Sequence, residues 1–167
     1  MAGLWAALRD FFTPHGVEVL QNVHPLIVHF PIGLLFAAAL LYLWAWIGRR
    51  DALQWTALWT LLLGTIAALF AVWSGLRAGE GVMIAPAVRE HILEPHRRVM
   101  LSMFALSVVL CGWALWARPM PRRGRAAFIA GLVLMAALLA KGADLGGWMV
   151  YGYNAGGALP QPIDFSR

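Results

Sequence analysis

The sequence predicts an all-α integral membrane protein, a four-helix bundle with a short N-terminal interfacial helix. Three observations carry that expectation. Of the 167 residues, 61% are apolar, against roughly half in a soluble domain. Four apolar runs, at residues 26–47, 53–73, 99–116 and 126–150, are long enough or nearly so to cross a hydrocarbon layer roughly 30 Å thick. Arg49, Arg50, Arg118, Arg122, Arg123 and Arg125 lie in two short loops that share one side of the bundle, with Asp51 as the only acid there.

Residues 1–22 form an expected interfacial segment. Met1 to Phe12 is apolar and amphipathic but too short to span, and it has neither a basic lead nor a cleavage site. The first span then serves as its own insertion signal. The four-helix domain is expected over residues 23–151, and a periplasmic tail over 152–167. In the fourth run, Lys141, Gly142, Asp144, Gly146 and Gly147 interrupt the apolar pattern, so an irregular outer end is expected. Trp44, Trp46, Trp55, Trp59, Trp113 and Trp116 read as one interfacial belt, with Trp73 and Trp148 near the opposite interface.

The positive-inside rule puts the two arginine loops in the cytoplasm of a bacterial inner membrane and both termini in the periplasm. It also disposes of nucleic acid as a partner, because the basic residues sit in loops between spans and form no binding face. Cys111 is the single cysteine and lies inside a span. No disulfide within the chain is possible, and no Cys-x-x-Cys-His is present for covalent haem attachment.

Under this topology all five histidines fall on the outer side. His24-Pro25 opens the first span, and His29-Phe30-Pro31 lies about one and a half turns deeper. Five residues turn a helix by about 500°, so His24 and His29 do not share a face. Pro31 leaves the carbonyl of Ile27 without a partner and favours a bend. Glu94-Pro95-His96 repeats the arrangement before the third run, with His96 expected in a first turn and His91 outside it.

A buried imidazole without a partner carries a desolvation cost, so His29 and His96 are the expected inward pair. Two such histidines can hold a haem b through both axial positions. Gly33 would leave room for the ring, with Met100, Ser107 and Cys111 on the opposing wall. Arg77, Arg97, Arg98 and Lys141 are candidate partners for the propionates. His24 and His91 form a weaker second pair. Against these stand structural readings: a capping role for His24, an interface role for His15, and a Lys141–Asp144 pair in place of a proton relay.

The run His24-Pro25-Leu26-Ile27-Val28-His29-Phe30-Pro31-Ile32-Gly33 resembles the signature of a bacterial membrane family, domain of unknown function family 2231. His96 and Gly146-Gly147-Trp148-Met149-Val150-Tyr151 match its later motifs, over about residues 20–155. The resemblance implies a four-helix membrane protein. The family pattern continues with a further histidine and glycine where this chain has Gly152-Tyr153-Asn154, so no ligand carries over there. Some relatives look fused to Rieske iron–sulfur or cytochrome c domains, which implies redox company by association.

The leading expectation is therefore a membrane-embedded b-type electron carrier, more a carrier or subunit than a stand-alone enzyme. Its donor would be a quinol or a larger respiratory complex, and its acceptor a periplasmic cytochrome or iron–sulfur protein. Membrane lipid surrounds it, and a homo-oligomer is compatible with its glycines and tryptophans. Two alternatives stand beside it. One is a zinc, copper or iron site built from His24, His29, His91, His96, Glu90 and Glu94, for metal handling or a metal-dependent membrane enzyme. The other is an accessory subunit of a larger complex whose histidines only join helices.

Overall fold

The structure, a computed structural model, describes residues 4–5 and 22–155. The remainder of the expected interfacial segment, His15 included, and the tail from residue 156 lie outside the described residues. Four long helices account for the bundle: α1 (His24–Ile47), α2 (Asp51–Gly81), α3 (Pro86–Ala117) and α4 (Arg125–Gly152). With 24 to 32 residues each, they reach about 36 to 48 Å, enough to cross a membrane with turns to spare. Each packs on its neighbour in sequence, and α4 closes back on α1. The result is an up-down-up-down bundle in which α1 lies diagonally across from α3.

The helices are apolar nearly all round, so size and not polarity distinguishes the inner face. On α1 the buried residues are Pro31, Leu35, Ala38, Tyr42 and Ala45. That stripe repeats about every 3.5 residues, the period of helices that supercoil. Small residues let the backbones approach: a Cβ on Gly64 would sit 2.8 Å from Leu35. Bulky side chains point outward, and Phe30, Trp44, Trp59, Phe70, Trp73 and Trp116 are each more than half exposed. Such a surface suits lipid.

At the arginine end, Tyr42 is fully buried, and its hydroxyl donates to the Pro119 carbonyl at 2.9 Å. Phe128 stacks edge-on between Tyr42 and Trp113, at centroid distances of 5.0 and 5.7 Å. The expected tryptophan belt is present, with Trp113 turned partly inward.

The histidine end departs from expectation. Helices α2 and α3 run well past their apolar cores, leaving only residues 82–85 between them. The reason is local. Arg89 donates from Nη1 to the Gly79 carbonyl at 2.9 Å and from Nη2 to the Val82 carbonyl at 3.1 Å. It thereby satisfies carbonyls that a helix end leaves unpaired.

Nor does α3 begin at Pro95. Its backbone widens into a π-turn over Arg89–Leu93, which separates the proline ring from the carbonyls of the preceding turn. His91 lies in that turn and is exposed. Helix α4 stays regular through Gly147 and ends in a second π-turn, Trp148–Gly152. Lys141 and Asp144 pair with each other at 2.7 Å on its exposed face.

Candidate functional site

The core stripes do not stop where the apolar residues do. Counting back from Tyr42, Ala38, Leu35 and Pro31 in steps of three and four reaches Val28 and then His24. The same count on α3, from Leu110 through Ser107 and Met103, reaches Met100 and His96. Buried Ala71 and Ser74 end the stripe of α2, and buried Leu139 and Gly142 continue that of α4. A polar layer of His24, Ser74, His96 and the Gly142 carbonyl therefore caps the inner face at the histidine end.

His24 is held by α2. Its Nδ1 lies 3.0 Å from Ser74 Oγ. The serine hydroxyl has one proton, and it donates that proton to the Ala71 carbonyl at 3.1 Å. Nδ1 of His24 and Ser74 Oγ thus share a hydrogen bond whose direction the imidazole tautomer sets. The ring lies against Gly75, where a Cβ would stand 2.8 Å from Cε1 and 3.2 Å from Nε2. The His24 backbone N–H donates to Asn22 Oδ1 at 3.1 Å, fixing the start of α1.

His96 is held by α4 in the same manner. Its Nδ1 donates to the Gly142 carbonyl at 2.8 Å, and its Cε1 would be 3.3 Å from a Cβ on Gly146. Met100, one turn further along α3, fills the space where a Cβ on Gly142 would stand. Nδ1 of His96 carries a proton, because the Gly142 carbonyl can only accept, and Nδ1 of His24 is engaged by Ser74 Oγ. No hydrogen bond engages either Nε2 among the described residues.

The expected pairing is corrected in one member. His29 is exposed, and so is Gly33 one turn below it, with nothing within 4 Å of where its Cβ would be. Both belong to the outward face of α1. His24 takes the inward place, about 140° around the helix from His29. Ser107 and Cys111 are buried deeper in the core, where Ser107 donates to the Phe104 carbonyl at 2.7 Å. Of the candidate cations, Lys141 is taken by Asp144, Arg97 and Arg98 are exposed beside His96, and Arg77 lies over the Trp73 ring at 4.8 Å.

The bare-metal alternative finds no geometric support. No group of three or more His, Cys, Asp or Glu side chains comes together among the described residues, so His24, His29, His91, His96, Glu90 and Glu94 do not form one site. Ser74, Gly75 and the Gly142 carbonyl are the participants that motif reading missed. A small or hydroxylated residue facing each histidine, on the register of the partner helix, was the available signal.

No curated protein and no solved structure matches the chain. A family model described as a predicted membrane protein, DUF2231, matches residues 20–158. That range takes in all four helices and both histidine motifs, and the chain belongs to this family of membrane proteins.

Proposed function

We propose that the polar layer at the histidine end is a two-histidine haem site, and that the protein is a small b-type electron carrier or carrier subunit. One observation supports this above the rest: two inward-facing imidazoles from diagonal helices, each with Nδ1 engaged by an oxygen of a neighbouring helix and Nε2 in no hydrogen bond among the described residues. Histidine ligands to metals characteristically donate their other ring nitrogen to an oxygen, which fixes tautomer and orientation.

The donor count favours haem over a bare ion. A protein zinc site needs three or four ligands from side chains, and no group of three gathers among the described residues. A porphyrin supplies four nitrogens to its iron, so two imidazoles complete the set. His24 and His96 would be the axial ligands, with Arg97 and Arg98 as the cations free to meet propionates. Bound haem would supply one-electron chemistry. The chain's own contribution is to hold both ligands oriented, and to surround them with apolar helices.

In this reading the arginine loops are cytoplasmic, the site lies toward the periplasm of the inner membrane, and a quinol or a larger redox complex is the donor. The test is spectroscopic. The full chain, expressed with adequate haem supply and purified in mild detergent, should show a Soret band and a sharp α band on reduction. His24→Ala and His96→Ala should each lose haem, while His29→Ala and His91→Ala keep it, with helical circular dichroism unchanged throughout. A colourless protein, or loss of haem in His29→Ala alone, overturns the assignment.

A further inference from the structure

A cavity of about 460 Å³ opens between α1 and α2 at the histidine end. Its polar lining includes Asn22, His24, Ser74 and Arg77, with Trp73 forming an aromatic wall. Among the described residues that line it, Arg77 is the only charged side chain, so these residues give the cavity a positive charge. Its guanidinium lies over the Trp73 ring at 4.8 Å, an arrangement that leaves the in-plane N–H groups available.

A second hollow, of about 300 Å³, lies in the same interhelical groove and is lined by Ile27, Phe30, Ala67 and Phe70. Ile27 and Phe70 are each three residues from His24 and Trp73, about 4.5 Å deeper into the membrane. The groove between α1 and α2 therefore has a cationic cavity toward the helix ends and a separate apolar hollow about a turn below it.

We propose that this groove is a binding site for one anionic phospholipid, its phosphodiester on Arg77 and one acyl chain along Ile27, Phe30 and Phe70. The polarity gradient matches such an amphiphile in both sign and order. A haem propionate offers the same anionic oxygen chemistry to Arg77 but has no chain to fill the lower hollow. The inference does not depend on the haem reading.

The experiment is a lipid titration of the full chain, followed by native mass spectrometry, with dioleoyl phosphatidylglycerol and dioleoyl phosphatidylcholine as probes. The first bound phosphatidylglycerol should be preferred by about tenfold. Arg77→Gln should erase the preference and Arg77→Lys should keep part of it. Ala67→Phe, which fills the lower hollow, should weaken both lipids alike. The Soret band read on the same samples keeps the two proposals separate, because the lipid preference should persist in protein made without haem. Equal binding of the two lipids, a preference that survives Arg77→Gln, displacement of phosphatidylglycerol by a neutral quinone analogue at equal concentration, or a preference seen only in haem-loaded protein overturns the proposal.

Discussion

At the scale of single residues, the site depends on glycines as much as on histidines. The Ser74 contact holds the His24 ring against Gly75, so the ring moves away only by giving up that hydrogen bond. In Gly75→Ala the added methyl gains helix propensity of up to about 1 kcal/mol, but it meets the ring inside contact distance. Overpacking of this kind costs about 1 to 3 kcal/mol, and turning the imidazole out of its notch relieves it. The variant should therefore stay folded, with a melting temperature within a few degrees of the parent, and, if the proposed haem site holds, lose most of the haem. Gly33→Ala is the matched control, since open space surrounds that position, and it should be neutral or slightly stabilising. Both variants are read by thermal unfolding and by the Soret-to-protein absorbance ratio. Full haem retention in Gly75→Ala would contradict the close packing of His24 on α2.

At the scale of elements, the connection between α2 and α3 is tied back by the Arg89 side chain, beside the packing of Ile84 on the Val88 and Ile92 cluster. Arg89 reaches back to two carbonyls at the end of α2. Hydrogen bonds from a charged donor are worth about 1.5 to 3 kcal/mol each at most, and less where water competes. Arg89→Ala should raise amide hydrogen exchange across residues 79–88 by tenfold or more and leave the core of α2 near Leu61 unchanged. Lysine can satisfy only one carbonyl at a time, so Arg89→Lys should fall between. The same region marks the limit of what the chain discloses as a string of residues. The four helices were legible because apolar length is a strong signal in a membrane. Their ends were not, because helix α2 continues through Arg77 and Glu80 on tertiary support that Arg89 supplies from ten residues away. Pro95 reads as a helix start, and only the π-turn before it lets the helix run through. The inward histidine was legible in principle. His24 continues the 3.5-residue register of Tyr42 and Leu35, whereas depth from the helix end favoured His29. Register is the better guide in a bundle whose faces differ in size more than in polarity.

At the scale of the whole molecule, the two ends of the bundle differ in kind, and the difference predicts an orientation. The arginine end has six arginines against Asp51 alone. The histidine end, over the described residues, sets Arg77, Arg89, Arg97, Arg98 and Lys141 against Glu80, Glu90, Glu94 and Asp144. Orientation follows the positive charge of short loops, and acids count for little in it. Arg9 and Arg167, outside the described residues, bring the remaining cations of the sequence to seven against six, so a count of cations alone does not orient the bundle. What decides is their placement: the arginine-end residues sit in tight loops at the ends of spans, whereas Arg89 and Lys141 are engaged within the folded helix ends. The arginine loops should therefore face the cytoplasm, with the polar layer on the far side. Single cysteines test this in a Cys111→Ser background, which removes the only native thiol, itself buried. Asp51→Cys should resist a membrane-impermeant maleimide in intact spheroplasts and react after lysis. Ala155→Cys should react in both. The reverse pattern would put the histidine site on the cytoplasmic face and remove the periplasmic acceptor from the proposed electron path. Labelling of both positions in intact spheroplasts would mean a chain inserted in two orientations, which a loop bias of this kind should prevent.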